Sequence, residues 1–184
     1  MEKAILIIDV QNDYFSGGAH SLYDPEKAVK NAALVLEKAR DRSVEIVYIQ
    51  HVSINEGADF FLPDTYGIEI NDWVKPNEGE KIITKNYPNS FRETDLLEHL
   101  QEKKIKELIV FGMMTDVCID ATVRAAKDLG FKITVICDAC TTEDRELNGQ
   151  LIKALDVHVG YLAGLSALGN FYADVITAKE FLNA

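Results

Sequence analysis

The sequence predicts a single α/β domain over residues 1–184, a doubly wound, mainly parallel sheet with helices on both faces. Three observations carry this. Continuous apolar runs, of the kind that fill the middle of a parallel sheet, alternate with segments of helical spacing along the chain. Strands that alternate with helices imply parallel pairing through right-handed crossovers. The 184 residues, 47% of them hydrophobic, suit one core, and a chain of this size buries about 70% of its unfolded surface without disulfides or metals.

Taken in order, Lys3 to Val10 (KAILIIDV) is the first buried strand, with Asp9 at its carboxyl end. A polar, Gly-containing loop, QNDYFSGGAH, follows. Pro25 to Arg40 then has helical spacing through Ala28, Ala32, Val35, Leu36 and Ala39. Val44 to Val52 is β-branched and aromatic, hence the second strand. Ser53 to Gly79 is a long segment whose Phe60, Phe61, Leu62, Tyr66 and Trp73 keep no period, so it reads as a satellite core or as the wall of a pocket. Lys81 to Thr84 is a short strand leading to Lys85, and Glu93 to Lys103 a helix. Leu108 to Phe111 is the next strand, broken at Gly112, after which Val117, Ala121 and Ala125 restart at helical spacing. Phe131 to Cys137 is a further strand and DACTTEDRELNG a loop. Gln150 to Asp156 reads as helix, His158 to Phe171 as its continuation or a broken helix, and Ala173 to Thr177 as the last strand.

One placement looks built for chemistry. With Thr115 or Asp116 as N-cap, Cys118 falls in the first turn of a helix, where unpaired backbone N–H groups and the helix dipole favour negative charge. A thiol so placed is expected to ionise easily, with a pKa of roughly 3.5 to 7.5. The competing reading is a buried structural cysteine. In open α/β sheets, ligands bind outside the carboxyl ends of the strands, and Asp9, Lys85 and the turn before Cys118 all lie at such ends. Three polar groups from three strand ends converging on one crevice favour the catalytic reading.

The set D-x-Q-N-D-Y (Asp9 to Tyr14), Lys85 with Pro88-Asn89-Ser90-Phe91, and G-M-M-T-D-V-C-I-D-A-T (Gly112 to Thr122) resembles the isochorismatase-like cysteine hydrolases over nearly the whole chain. The resemblance implies a six-stranded parallel sheet and a homo-oligomer, dimer or tetramer. It also implies a catalytic triad of Asp9, Lys85 and Cys118 that cleaves a C–N bond in an amide, ureido compound or cyclic amide through a thioester. By position it assigns an oxyanion hole to the backbone N–H groups of Met114 and Cys118, and a cis peptide to Met113–Met114. Gln11, Phe15, Phe60 and Phe91 are the candidates for substrate contact, as motif or aromatic residues near these positions.

Departures from particular members narrow the reading. Nicotinamidases carry a metal-binding D-x-H with a further His; here IQHVSINEGADFF holds only His51, and one imidazole does not make a transition-metal site. His51 therefore reads as a satisfied strand-end residue, His20, His99 and His158 are too scattered to group, and no metal or other cofactor is expected. Isochorismate-type vinyl ether hydrolysis would leave Cys118 a bystander. Two further alternatives are a catalytically silent binding module and a redox protein using Cys137-Asp138-Ala139-Cys140. The net charge of -11 argues against nucleic-acid or anionic-membrane partners and leaves a small-molecule substrate. Without a signal peptide, a membrane span or an even cysteine count, the expected location is the cytoplasm.

Overall fold

The computed structural model describes residues 2–184. Its centre is β1 (Lys3–Ile8), in which Ala4 to Ile8 are all buried because both edges and both faces are covered. β2 (Glu45–His51) and β3 (Lys81–Lys85) extend the sheet on one side of β1. β4 (Glu107–Met113), β5 (Lys132–Thr141) and β8 (Asp174–Ile176) extend it on the other. The order is β3-β2-β1-β4-β5-β8 and every pairing is parallel. The chain thus moves outward from β1 in one direction, then returns to its other side at β4. That reversal opens a crevice at the carboxyl edge between β1 and β4.

The helices α1 (Pro25–Asp41), α2 (Leu96–Glu102), α3 (Asp120–Asp128), α4 (Ala154–Leu165), α5 (Ala167–Asn170) and α6 (Ala178–Asn183) flank this sheet. α1 presents Ala28, Val29, Ala32, Val35, Leu36 and Ala39 as one buried stripe, as its spacing predicts. Gly112 has no possible substitute: its φ is 134°, and a Cβ there would sit 1.9 Å from the carbonyl oxygen of Ile8. β1 and β4 can close at the crevice only over a bare backbone.

Several boundaries differ from the sequence reading. α2 starts at Leu96 instead of Glu93, because Glu93 sits at φ 56° and cannot open a helix. β5 continues past Cys137 to Thr141, after a bulge that brings Cys140 and Thr141 back beside Gly112 and Met113. The end of the expected loop and the start of the expected helix are instead a hairpin, β6 (Arg145–Leu147) with β7 (Gln150–Ile152). Its turn is Asn148-Gly149, both at positive φ, which fits the two-residue hairpin preference for Asn-Gly. After α4 the chain breaks at Ser166, with Leu168 and Gly169 left-handed.

The segment after β2 is both things the sequence allowed. Phe61 is buried at 1% exposure and held by Asp13, whose Oδ2 accepts its N–H at 2.6 Å while Oδ1 accepts that of Ala19 at 3.0 Å. Residues 53 to 61 meanwhile wall a cavity above the carboxyl edge. Trp73 and Tyr66 remain exposed.

Candidate active site

Asp9 leaves β1 in a left-handed conformation, φ 53°, which turns its carboxylate back over the sheet edge. Lys85 ends β3, and its side chain runs under the crevice. Both side chains are fully buried, with Lys85 Nζ 2.8 Å from Asp9 Oδ2. The same ammonium is 3.3 Å from Cys118 Sγ and 2.9 Å from His51 Nδ1. Asp9 Oδ1 has no hydrogen-bond partner among the described residues. A carboxylate, a thiol and an imidazole thus surround one buried cation.

Cys118 reaches this point through a π-helical turn, Thr115–Ile119, placed between β4 and α3. The cap is Met114, whose carbonyl accepts from the N–H groups of Val117 and Ile119. Thr115 and Asp116 cannot cap, because their side chains are engaged elsewhere. Thr115 Oγ1 lies 3.2 Å from the Thr141 carbonyl and 2.8 Å from His158 Nδ1, and Asp116 holds Arg145 at 2.7 Å. The Met113–Met114 peptide is cis. The Met114 N–H has no acceptor among the described residues, and both Met114 and Cys118 face the cavity.

The electrostatics correct one expectation. Burial pushes the Cys118 thiol up, and the Asp9 carboxylate adds to this; Lys85 opposes but does not overcome them. The helix-terminus argument omits the cost of a thiolate in a site at 3% exposure. Burial also works against the Lys85 charge, yet Asp9 and Cys118 outweigh it, so the ammonium is held. Lys85 thus lies against the Asp9 carboxyl group beside a thiol whose ionisation burial opposes.

An isochorismatase domain model matches residues 3–166. The chain belongs to the isochorismatase family. It is 44% identical over 182 residues to an uncharacterized family member, YddQ of Bacillus subtilis, covering 99% of both chains. A solved structure described as an isochorismatase hydrolase, from Oleispira antarctica, superposes with a TM-score of 0.94 at 40% identity, covering 100% of this chain and 97% of that one. A streptothricin hydrolase of Streptomyces noursei is 30% identical over 144 residues, 77% of this chain and 50% of its own. The protein is accordingly an isochorismatase-family hydrolase with the family's six-stranded parallel sheet.

Of the other residues singled out, Phe60 lines the cavity of this isochorismatase-family site, together with Tyr14, His51, Phe61, Tyr87 and Val117. The cavity measures about 430 Å³. Phe15 does not reach it: at 7% exposure it belongs to the core. Phe91 points away and stacks on Phe131, ring centroids 6.1 Å apart. Gln11 is fully buried and grips backbone, accepting from the His51 N–H at 2.7 Å and donating to the His51 carbonyl at 2.9 Å. Polar capacity spent on the backbone is not available to a ligand.

His51 is the site residue that the sequence reading missed. In the parallel register it pairs with Lys85, so the two side chains emerge together at the sheet edge. Asp9, His51 and Cys118 place potential ligand atoms within 4.8 Å of one another. A metal does not fit as the site stands, because the Lys85 ammonium is already in contact with all three and occupies the cation position. The remaining histidines lie elsewhere: His20 against Glu143 and Phe60, His99 against Glu45, His158 against Thr115. Cys137 and Cys140 are free thiols within β5. Cys140 is in the strand, not in a loop; burial pushes it up to about 12, and its thiol donates to the Ile136 carbonyl. No helix among the described residues is long and apolar enough to cross a membrane.

Proposed function

We propose that this hydrolase cleaves the C–N bond of an uncharged small molecule, an amide, ureido compound or cyclic amide, through a thioester on Cys118. The observation that carries the reading is the contact of Cys118 with Lys85, itself paired to Asp9, on the floor of a cavity. Asp9 Oδ1, free of hydrogen bonds, takes the thiol proton as sulfur attacks the carbonyl carbon. Lys85 offsets the negative charge as it moves from carboxylate to sulfur. The carbonyl oxygen becomes an oxyanion, for which the unpaired Met114 N–H and the Cys118 N–H are the donors. Asp9 then gives its proton to the leaving nitrogen, the C–N bond breaks, and the acyl thioester remains. Water, deprotonated by Asp9, releases the acid and restores the thiol.

Vinyl ether hydrolysis of isochorismate is disfavoured by the cavity. That substrate is a dicarboxylate, whereas the lining among the described residues includes no lysine or arginine, Lys85 being buried in its ion pair, and does include the carboxylate of Glu56. The bulk of the wall is apolar or aromatic, which suits an uncharged body. A free thiol suits a reducing compartment such as the cytoplasm. Exposed apolar side chains on the hairpin and α4, Leu147, Leu151, Leu155 and Val159, support self-association, which sedimentation of the purified chain tests.

The deciding assay is ammonia or amine formation from matched carboxamides, ureas and lactams in uncharged, anionic and cationic forms, run beside pyruvate release from a dicarboxylic enolpyruvyl ether. Turnover of uncharged members, lost in Cys118→Ala, is expected. Retention of that turnover in Cys118→Ala sinks the thioester, and preference for a dicarboxylic vinyl ether restores the runner-up.

A further inference from the structure

An ammonium has three N–H groups and no lone pair. Those of Lys85 face three acceptors: Asp9 Oδ2 at 2.8 Å, Cys118 Sγ at 3.3 Å and His51 Nδ1 at 2.9 Å. For His51 this fixes the tautomer through the hydrogen-bond network. Nδ1 must present its lone pair, so the proton of the neutral ring sits on Nε2. That Nε2–H has no protein acceptor among the described residues, and the ring lines the cavity. The imidazole is also held rigidly. Gln11 clamps the His51 backbone from both its N–H and its carbonyl, and Phe61 packs against the ring with centroids 5.7 Å apart.

We propose that His51 is a positioning residue for Lys85 and a polar recognition point for substrate in the cavity wall. Nδ1 fixes the ammonium between Asp9 and Cys118, and Nε2–H donates to an acceptor on the substrate other than the scissile carbonyl. The substrate class is thereby narrowed to uncharged amides carrying a second acceptor, such as another carbonyl or a ring nitrogen. The scissile carbonyl itself is directed to the N–H groups of Met114 and Cys118, so the two contacts do not compete. The Lys85 role rests on geometry alone; the substrate contact rests on the amide-hydrolase reading above.

The neutral state of the ring persists through ordinary assay conditions. Burial and then the Lys85 charge lower the His51 pKa to about 4, with Asp9 opposing. The titratable groups about it are Asp9 after β1, Lys85 on β3, Cys118 in the π-helical turn, and Tyr14, Glu56 and Tyr87 in the cavity wall. A protonated ring would set two cations in contact, so charge on His51 and charge on Lys85 exclude each other.

The first test needs neither a variant nor a substrate. Nitrogen-15 spectra of histidine-labelled protein should show His51 as the neutral Nε2–H tautomer from pH 5.5 to 8. A charged ring or an Nδ1–H tautomer there overturns the Lys85 role. The second test compares His51→Asn, which keeps an acceptor near the Nδ1 position, with His51→Ala, which keeps none. Iodoacetamide alkylation of Cys118 against pH should follow the wild type in His51→Asn and move to higher pH in His51→Ala. A wild-type profile in both sinks the positioning role. On an amide with a second acceptor, His51→Asn should raise KM about tenfold, the size of one lost hydrogen bond, with little change in kcat. An unchanged KM removes the recognition role. If the wild type hydrolyses no amide, the preceding reading and the substrate contact fall together, while the spectra still decide the Lys85 role.

Discussion

His51 and Lys85 are register partners on adjacent parallel strands, and their side chains meet at 2.9 Å on the carboxyl edge of the sheet. A histidine in contact with a lysine ammonium is disfavoured from carrying a charge of its own. Here Asp9 holds the lysine cation, while burial and that cation keep the imidazole neutral against the opposing pull of Asp9.

This makes stability depend on acid in a defined window. The folded His51 titrates at about 4, whereas an unfolded histidine titrates near 6.5. Above pH 6.5 neither state binds the proton and the group contributes no pH dependence. As pH falls from 6.5 to 4 the unfolded chain binds a proton the folded one refuses, so stability falls. His158, lowered by burial, acts in the same direction. Urea denaturation should show wild-type stability declining across that window, with a shallower decline in His51→Asn. Equal slopes would mean that His51 is not held neutral.

Lys85 occupies the position a metal would take, and its removal should reveal this. Lys85→Ala leaves Asp9 buried without a counter-ion, a loss of about 3–5 kcal/mol in such cases. It also frees a carboxylate oxygen, an imidazole nitrogen and a sulfur within 4.8 Å of one another, a mixed donor set suited to zinc or cobalt. The variant should therefore be rescued in stability by Co²⁺ and show a near-ultraviolet sulfur-to-cobalt band. The wild type should show no such band, and its activity should survive dialysis against a chelator. Loss of wild-type activity on chelation, restored by zinc or iron, would contradict the occupancy by Lys85.

Gly112→Ala should abolish folding while touching no proposed chemical group. The added methyl meets the Ile8 carbonyl at 1.9 Å, and neither strand can retreat because Ile8 and Gly112 are paired. A destabilisation of roughly 4 kcal/mol or more is expected. Soluble protein with a wild-type melting temperature would mean that the strands close differently.

The Asp9, Lys85 and Cys118 cluster was legible because each of the three follows an apolar run: Asp9 and Lys85 at strand ends, Cys118 just past one. Periodicity locates such positions, and parallel topology sends them to the same edge. What stayed hidden depends on relations between distant segments. His51 looked ordinary until the register put it beside Lys85. The acidity expected of Cys118 came from its local helix position, while its burial and the charge of Asp9 decide it. Gln11 and Phe91 stand inside the recognisable motifs but face backbone and core, which a motif does not encode. The hairpin was a different kind of miss, since Asn148-Gly149 was a readable turn signal overridden by the expectation of a helix.

The sharpest prediction concerns Asp9→Asn, because alkylation and hydrolysis should move in opposite directions. After burial, the Asp9 charge is the next cause holding the Cys118 thiol protonated, and Lys85 at 3.3 Å is the opposing influence. Asparagine removes the first charge and frees the second, so more Cys118 should be thiolate at pH 7 to 8 and iodoacetamide should modify it faster than in the wild type. Hydrolysis should nevertheless fall by at least about 10², since no acid serves the leaving nitrogen and no base deprotonates the water that cleaves the thioester. A purely structural role for Asp9 would loosen the cluster and give no reason for the thiol to gain reactivity while turnover is lost. Labelling must be read at Cys118 by peptide mass, because Cys137, also raised by burial, is partly exposed. Cys137→Ala with Cys140→Ser should leave turnover intact. Slower alkylation of Cys118 in Asp9→Asn, or hydrolysis at the wild-type rate, would remove Asp9 from the role of base.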